Sequence, residues 1–285
     1  MSPLPFSIDL NNKVAVVTGG AGVLGSAMCR ALAACGAKVI IVGRDLAKAQ
    51  KLATEIEATG GIALGVSCDV LDRAALENVA RQIESGFGPC DILINGAGGN
   101  HPKGVSNLEY YDAEQAEADP ANTTFFDLDI EGYRFVFDLN LLGTLLPTQV
   151  FAKQMLGRPG CTVINISSMS AFKPLTKVAA YSNAKAAVSN FTQWLATHLA
   201  QSGVRVNAIA PGFFITEQNH KLLIQDDGEF TPRARKVVAQ TPMRRFGEAD
   251  ELIGTLLWLV EPKASGFVTG TIVAVDGGFS AYAGV

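Results

Sequence analysis

The feature that most constrains this chain is a regular alternation of short β-branched runs with longer helical patterns. The first run, KVAVVT at 13–18, breaks into glycines and leads into a stretch rich in Ala, Leu and Met that stops at Gly36. The same patterns predict strands at 38–42, 63–68, 91–95, 162–167, 204–210 and 271–275, and helices at 46–59, 73–85, 133–155, 181–201 and 248–260, with a further helical region from about residue 233. Such alternation is typical of parallel βαβ units with right-handed crossovers. We therefore predict an α/β fold, a doubly wound, mainly parallel seven-stranded sheet with helices on both faces.

Composition agrees with one large core. Hydrophobic residues make up 48% of the 285 residues and charged residues 18%, which suits a parallel sheet covered on both faces. A chain of this length allows one domain or two. No linker rich in Gly, Ser or Pro divides it, so residues 1–285 are interpreted as a single domain.

One segment, residues 100–130, shows neither a strand nor a helix period. Aromatic residues are scattered through it, at Tyr110, Tyr111, Phe125 and Phe126. Irregular segments of this length in compact domains are usually functional or disordered. Two interpretations stay open here, a surface insertion and a segment that borders the substrate.

Charge and cysteine usage exclude several classes of protein. The 27 acidic residues outnumber the 23 basic ones, and no run of Lys and Arg provides a footprint for nucleic acid or an anionic membrane. The five cysteines are odd in number and contain no CxxC pair, which favours free thiols and disfavours disulfides or a metal site. The amino terminus does not resemble a secretory signal. We expect a soluble, cytoplasmic protein with a small-molecule substrate.

A glycine turn follows the first predicted strand. Gly20, Gly22 and Gly25 fit G-x-G-x-x-G, in which backbone N–H groups and a helix N-terminus approach a pyrophosphate. At the end of the second strand, Arg44 suits a ribose 2′-phosphate, whereas the adjacent Asp45 suits a 2′-hydroxyl. Arg44 favours NADP(H), and NAD(H) stays open.

A second pattern points to proton transfer. Tyr181 and Lys185 lie four residues apart on one predicted helix face, and Ser168 follows the end of an apolar strand. A tyrosine titrates near 10, and a cation within about 4–6 Å lowers that pKa. Lys185 is the candidate cation. Taken alone, this spacing would also suit an ordinary amphipathic helix.

The order of the motifs along the chain carries a family resemblance. The motifs are TGGAGVLG at 18–25, CDV at 68–70, NGAG at 95–98, Asn140, NISS at 165–168, YSNAK at 181–185, PG at 211–212 followed by Thr216, and DGG at 276–278. In this order and spacing they resemble the short-chain dehydrogenase/reductase family, from about residue 13 to residue 279. The resemblance implies a Rossmann-type fold and hydride transfer between a nicotinamide cofactor and a secondary alcohol or ketone.

The resemblance also assigns roles. It makes Tyr181 the general acid/base and Lys185 the group that lowers its pKa and holds the nicotinamide ribose. Ser168 would hydrogen-bond the reacting oxygen, and Asn140 would help to hold a water of a proton relay. The implied cofactor-binding residues are Gly19, Gly20, Gly22, Val23, Leu24, Gly25, Arg44, Asp69, Val70, Asn95, Ala97, Gly98, Tyr181, Lys185, Pro211, Gly212, Ile215 and Thr216.

Two details complete what the resemblance implies. The DGG motif at 276–278 resembles an interface motif of family tetramers, so we expect a homotetramer or homodimer. Val23 stands where the family usually has the second glycine of its turn, which leaves the individual phosphate contacts open.

Within the family, the glycine turn, the extended GGNHP segment at 98–102 and the region 167–196 are most similar to sugar-acid reductases of the D-mannonate oxidoreductase (fructuronate reductase) kind. A carboxylated substrate needs cationic partners. We name His101, Lys173 and Arg244 as candidates. Residues 100–138 oppose this interpretation, because they carry nine acidic and two basic side chains. A reductase of another carbonyl, such as a 3-oxoacyl thioester or a polyol, and a non-catalytic NADP(H) sensor are the alternatives.

Overall fold

The computed structural model describes residues 7–216 and 219–284. Seven parallel strands form one sheet in the order β3-β2-β1-β4-β5-β6-β7. The strands are β1 (Val14–Thr18), β2 (Lys38–Gly43), β3 (Ile62–Ser67), β4 (Ile92–Asn95), β5 (Thr162–Ile166), β6 (Arg205–Pro211) and β7 (Ile272–Val275). The predicted seven-stranded sheet is confirmed, and its strand ends differ from the predicted ones by one residue.

Helices connect the strands and cover both faces of the sheet. They are α1 (Val23–Ala34), α2 (Leu46–Glu57), α3 (Arg73–Gly86), α4 (Ala113–Ala118), α5 (Ile130–Phe137), α6 (Gly143–Phe151), α7 (Ala179–Leu199), α8 (His220–Leu223), α9 (Pro232–Gln240), α10 (Ile253–Val260) and α11 (Pro262–Ser265). Alternate residues of β1 face opposite layers: Ala15 and Val17 pack in one apolar cluster, Val14 and Val16 in the other. The central strands are therefore buried on both sides, as a parallel sheet requires.

A long helical segment runs from Ile130 to Met155 and combines α5, α6 and a closing 3-10 turn. A π-helical turn at Asp138–Leu142 joins α5 to α6 and carries the buried Asn140. Among the described residues this is the one helical segment long and apolar enough to cross a membrane, but half of its apolar window is buried. It contacts α3 and α7, so it packs as a core helix of the fold.

The segment 100–130 is partly helical. It contains 3-10 turns at Pro102–Gly104 and Phe125–Asp127 and the six-residue α4 between them. No residue of α4 is buried, so its sequence carries no apolar period. Asn107 ties the two arms of the segment together, because its side-chain oxygen accepts a hydrogen bond from the Thr123 N–H at 2.7 Å.

The cysteines are free thiols, as predicted. Four of the five are buried, and Cys35, which ends α1, is partly exposed.

Candidate functional site

A cleft of about 620 Å³ opens at the carboxyl edge of the sheet. Loops that follow β1, β2, β4, β5 and β6 line it, and the strand order reverses between β1 and β4 at its centre. Ligands of open α/β sheets bind at such a reversal. The predicted site residues that line the cleft are Gly19, Gly22, Val23, Leu24, Gly25, Arg44, Ala97, Gly98, Ser168, Tyr181, Lys185, Pro211, Gly212 and Thr216.

The glycine turn forms one wall of the cleft. A Cβ on Gly25 would lie 2.3 Å from the Gly19 carbonyl oxygen, so the tight turn requires glycine there. Helix α1 starts at Val23 with no side-chain cap and no acidic residue in its first turn. The first N–H groups of a helix lack intrahelical partners and carry partial positive charge. This wall therefore fits the pyrophosphate of a dinucleotide.

The end of β2 forms the neighbouring part of the cleft. A Cβ on Gly43 would meet nothing within 4 Å, so this position leaves space at the cleft. Arg44, Asp45 and Lys48 line the same part. The Asp45 carboxylate caps α2 by accepting a hydrogen bond from the Lys48 N–H at 3.1 Å.

Three polar side chains meet on the floor of the cleft. Ser168 follows β5, and helix α7 carries Tyr181 and Lys185 one turn apart. Ser168 hydrogen-bonds to the Tyr181 hydroxyl. The Lys185 ammonium is buried, donates to the Ile166 carbonyl oxygen at 2.8 Å and lies 5.7 Å from the centre of the Tyr181 ring.

Burial controls the protonation of this group. It raises the pKa of Tyr181 above its usual 10, and the hydrogen bond from Ser168 opposes that shift. Burial lowers the pKa of Lys185 from 10.5 to about 8. The loss of hydration sets the direction of this shift, because the charged phenolate would leave water. The sequence predicts that Lys185 lowers the pKa of Tyr181, and that role stays a prediction. A neutral phenol that faces the cleft can donate its proton to a bound oxygen atom.

Asn140 lies behind the cleft, not on its surface. Its amide nitrogen donates to the carbonyl oxygens of Gly99 at 2.7 Å and Val136 at 2.8 Å, and its side-chain oxygen accepts from the Gly99 N–H at 3.3 Å. A Cβ on Gly98 would lie 2.7 Å from that oxygen and 3.2 Å from the Lys185 nitrogen. Asn140 thus fixes the loop after β4 against Lys185. A role in holding water stays a prediction.

Some predicted cofactor residues lie outside the lining of the cleft. Asn95 is an example, since its buried amide donates to Thr148 and Asn165, each at 2.8 Å, and joins β4 to β5 and α6. These residues shape the elements around the cleft. The group consists of Gly20, Asp69, Val70, Asn95 and Ile215.

None of the three substrate candidates lines the cleft. His101 accepts a hydrogen bond from a backbone N–H through its Nδ1 and packs its ring on Phe135, with the ring centres 5.0 Å apart. The exposed Lys173 donates to the Tyr282 carbonyl oxygen, and Arg244 donates to a backbone carbonyl of α9 at 2.6 Å. All three side chains therefore have local structural partners.

The cleft also contains residues that our sequence analysis did not select. Asn100 comes from the start of the irregular segment, and Asn219, Leu222 and Arg233 come from the region of α8 and α9. The motifs gave no signal for them, because these residues lie in segments that carry none of the motifs. Lys48 also lines the cleft, one helical turn after the predicted Arg44.

Comparison with known proteins decides the family. The short chain dehydrogenase family matches residues 13–227. The chain is a short-chain dehydrogenase/reductase. Enzymes of this family are NAD(P)-dependent oxidoreductases that act on alcohol or keto groups.

Similar proteins include two close matches. An uncharacterized oxidoreductase of Bacillus subtilis, UxuB, is 53% identical over 282 residues, which cover 99% of this chain and all of that protein. The crystal structure of a protein from Haemophilus influenzae, provisionally named a D-mannonate oxidoreductase, holds bound NAD. It is 50% identical, has a TM-score of 0.93, and matches 99% of this dehydrogenase and 100% of that chain.

A more distant match is a 3-oxoacyl-[acyl-carrier-protein] reductase of Synechocystis. It is 32% identical over 270 residues, which cover 94% of this dehydrogenase and 97% of that protein.

The depressed pKa of Lys185 predicts a pH-dependent stability effect. The unfolded chain keeps this lysine protonated to about pH 10.4, whereas the folded one loses the proton near pH 8. Between those values the unfolded state binds more protons, so wild-type stability rises with pH. The full penalty, about 3 kcal/mol, is present at neutral pH.

Lys185→Met removes that penalty. The increase in Tm over the wild type should therefore be larger near pH 7 than near pH 9.5. Thermal denaturation of the cofactor-free protein measures this, with the exposed Lys51→Met as the control. An equal difference at both pH values would contradict the buried, easily deprotonated state of Lys185.

Proposed function

We propose that this dehydrogenase transfers hydride between a nicotinamide cofactor and a sugar acid, reducing a keto acid such as D-fructuronate to D-mannonate or catalysing the reverse. The observation that carries the reaction type is the hydrogen-bonded pair of Ser168 and Tyr181, which faces the same cleft as the uncapped start of α1. The support for a sugar acid is the likeness to the Haemophilus protein, at 50% identity over nearly the whole of both chains.

The proposed mechanism gives each floor residue one task. In reduction, Tyr181 donates its phenolic proton to the carbonyl oxygen, and Ser168 hydrogen-bonds to the same oxygen. In oxidation, Tyr181 takes the proton of the carbinol. When bound, the nicotinamide supplies or accepts the hydride. Lys185 would hold the ribose of a bound cofactor and would stabilise the phenolate as it forms.

Tyr181→Phe tests the proton-transfer role. The change removes one hydroxyl and keeps the ring, so kcat should fall about 10²- to 10⁴-fold, the usual contribution of a general acid/base. The Kd of NADH, measured by fluorescence titration, should change less than about twofold. Turnover close to wild type would eliminate Tyr181 as the acid/base.

For the coenzyme we propose a preference for NADP(H), with NAD(H) as the alternative. Arg44 lines the cleft next to the open space at Gly43, and a guanidinium binds a 2′-phosphate through charge-assisted hydrogen bonds. Asp45 uses its carboxylate as the cap of α2. The alternative has its own support, since the Haemophilus protein was crystallised with NAD bound.

Arg44→Ala separates the two coenzymes. If Arg44 binds a 2′-phosphate, the KM for NADPH should rise about 10- to 100-fold, since hydrogen bonds to charged groups contribute about 1.5–3 kcal/mol. The KM for NADH should stay within about twofold. Initial rates with both coenzymes measure this, and Arg81→Ala on the outer surface of α3 is the matched control. Equal effects on NADPH and NADH would refute the assignment.

The substrate class is tested with a panel of compounds. Oxidation of NADPH or NADH is followed with D-fructuronate, with neutral ketoses and with a 3-oxoacyl thioester. We expect kcat/KM for D-fructuronate to exceed that for the neutral ketoses about 100-fold or more, the effect of a recognised carboxylate. Preference for the thioester would establish the alternative supported by the Synechocystis reductase. Binding without turnover of any compound would indicate a nucleotide sensor.

The family resemblance also supports a proposal about the localisation and the oligomeric state of the enzyme. We infer a cytoplasmic homotetramer or homodimer. Gly277 and Gly278 of the DGG motif have positive φ angles and line a second, smaller pocket next to Phe213, so they are held in a defined turn after β7.

A further inference from the structure

The charged side chains of the cleft divide into three groups. Arg44, Asp45 and Lys48 follow β2 at the coenzyme end, and Lys185 is buried beneath the floor. Within the described ranges, 7–216 and 219–284, the remaining charged residue on the lining is Arg233. It is exposed and lies near the start of α9.

Local contacts of α9 keep Arg233 at the cleft. The Thr231 hydroxyl caps the helix by accepting a hydrogen bond from the Ala234 N–H at 3.1 Å. Ala234 is fully buried in a small apolar cluster with Leu223 and Phe246. The helix is therefore anchored through the residue next to Arg233, while Arg233 itself stays on the lining of the cleft.

The irregular segment holds the same helix from the other side. Lys236, three residues after Arg233, forms an ion pair with Glu109 of that segment. The hydrogen bond from Lys236 lowers the pKa of the Glu109 carboxyl, which keeps the pair charged at neutral pH. Residues three apart lie on neighbouring parts of a helix surface, so this contact restrains the part of α9 that carries Arg233.

The acidic residues of the insertion do not oppose an anion in the cleft. All of residues 100–138 are described, and the one that lines the cleft is the neutral Asn100. Among the described residues, the charged lining comprises Arg44, Lys48, Lys185, Arg233 and Asp45. None of these side chains belongs to the insertion.

We propose that Arg233 binds the carboxylate of the sugar-acid substrate, an inference that rests on the proposed function. The carboxylate of a substrate such as D-fructuronate lies at the opposite end of the carbon chain from its ketone. Its cationic partner therefore lies on another wall of the cleft than Ser168 and Tyr181, and Arg233 lines the cleft from helix α9. The planar guanidinium of Arg233 pairs with both carboxylate oxygens at once.

Arg233→Gln, Arg233→Lys and the control Arg235→Gln test the assignment. Arg235 is exposed on the same helix and does not line the cleft. The oxidation of D-mannonate is compared with that of D-mannitol, which replaces the carboxylate by a neutral hydroxymethyl group. We expect Arg233→Gln to lower kcat/KM for D-mannonate about 10- to 100-fold, mainly through KM. Arg233→Lys should lower kcat/KM for D-mannonate less than Arg233→Gln does, because it keeps the positive charge. Arg235→Gln should have the kcat/KM of the wild type.

Two further readouts separate the explanations. The rate with D-mannitol and the Kd of NADPH should change less than about twofold in Arg233→Gln. A weaker NADPH complex with an unchanged KM for D-mannonate would overturn the proposal and assign Arg233 to the coenzyme phosphates. Unchanged values for both ligands would make Arg233 a solvated surface residue. Wild-type enzyme that oxidises no sugar acid would overturn the proposed function together with this inference.

Discussion

The structure depends on a single constraint, the need of an all-parallel sheet to have both faces covered. After each strand the chain crosses back through a connection that contains a helix, so that the next strand runs in the same direction. The carboxyl ends of all seven strands therefore meet at one edge of the sheet. The reversal of strand order between β1 and β4 separates the helices on either side of that edge. The cleft, the uncapped start of α1 and the loops that carry Ser168 and Gly98 all lie at this place because of that topology.

Burial gives the floor of the cleft its chemistry. The Lys185 ammonium has lost nearly all its water and retains a carbonyl partner, Ile166, which explains its lowered pKa. The Tyr181 phenol is pushed toward its neutral form by the same environment. In a site with so little water, a charge that arrives with a ligand acts much more strongly than it would in solution. The protonation state of Tyr181 therefore depends on the charge of the ligand that is bound in the cleft.

Charge is distributed unevenly over the molecule. The acidic side chains of residues 100–138 lie away from the lining of the cleft. One of the acidic residues, Glu109, has a structural use, because it pairs with Lys236 and joins the insertion to α9. The insertion therefore supports a wall of the site and adds no negative charge to its lining.

The strands could be predicted from the sequence to within a residue, because hydrophobic period and glycine turns are local patterns. The reactive group of Ser168, Tyr181 and Lys185 was predictable through the order of the motifs along the chain, which carries the family resemblance. The rest depends on the tertiary structure. His101 packs on Phe135 and Lys173 donates to Tyr282, both far away along the chain. Arg233 reaches the cleft through the packing of α9. The pKa of Tyr181 likewise depends on how much water the folded chain excludes, which no sequence spacing records.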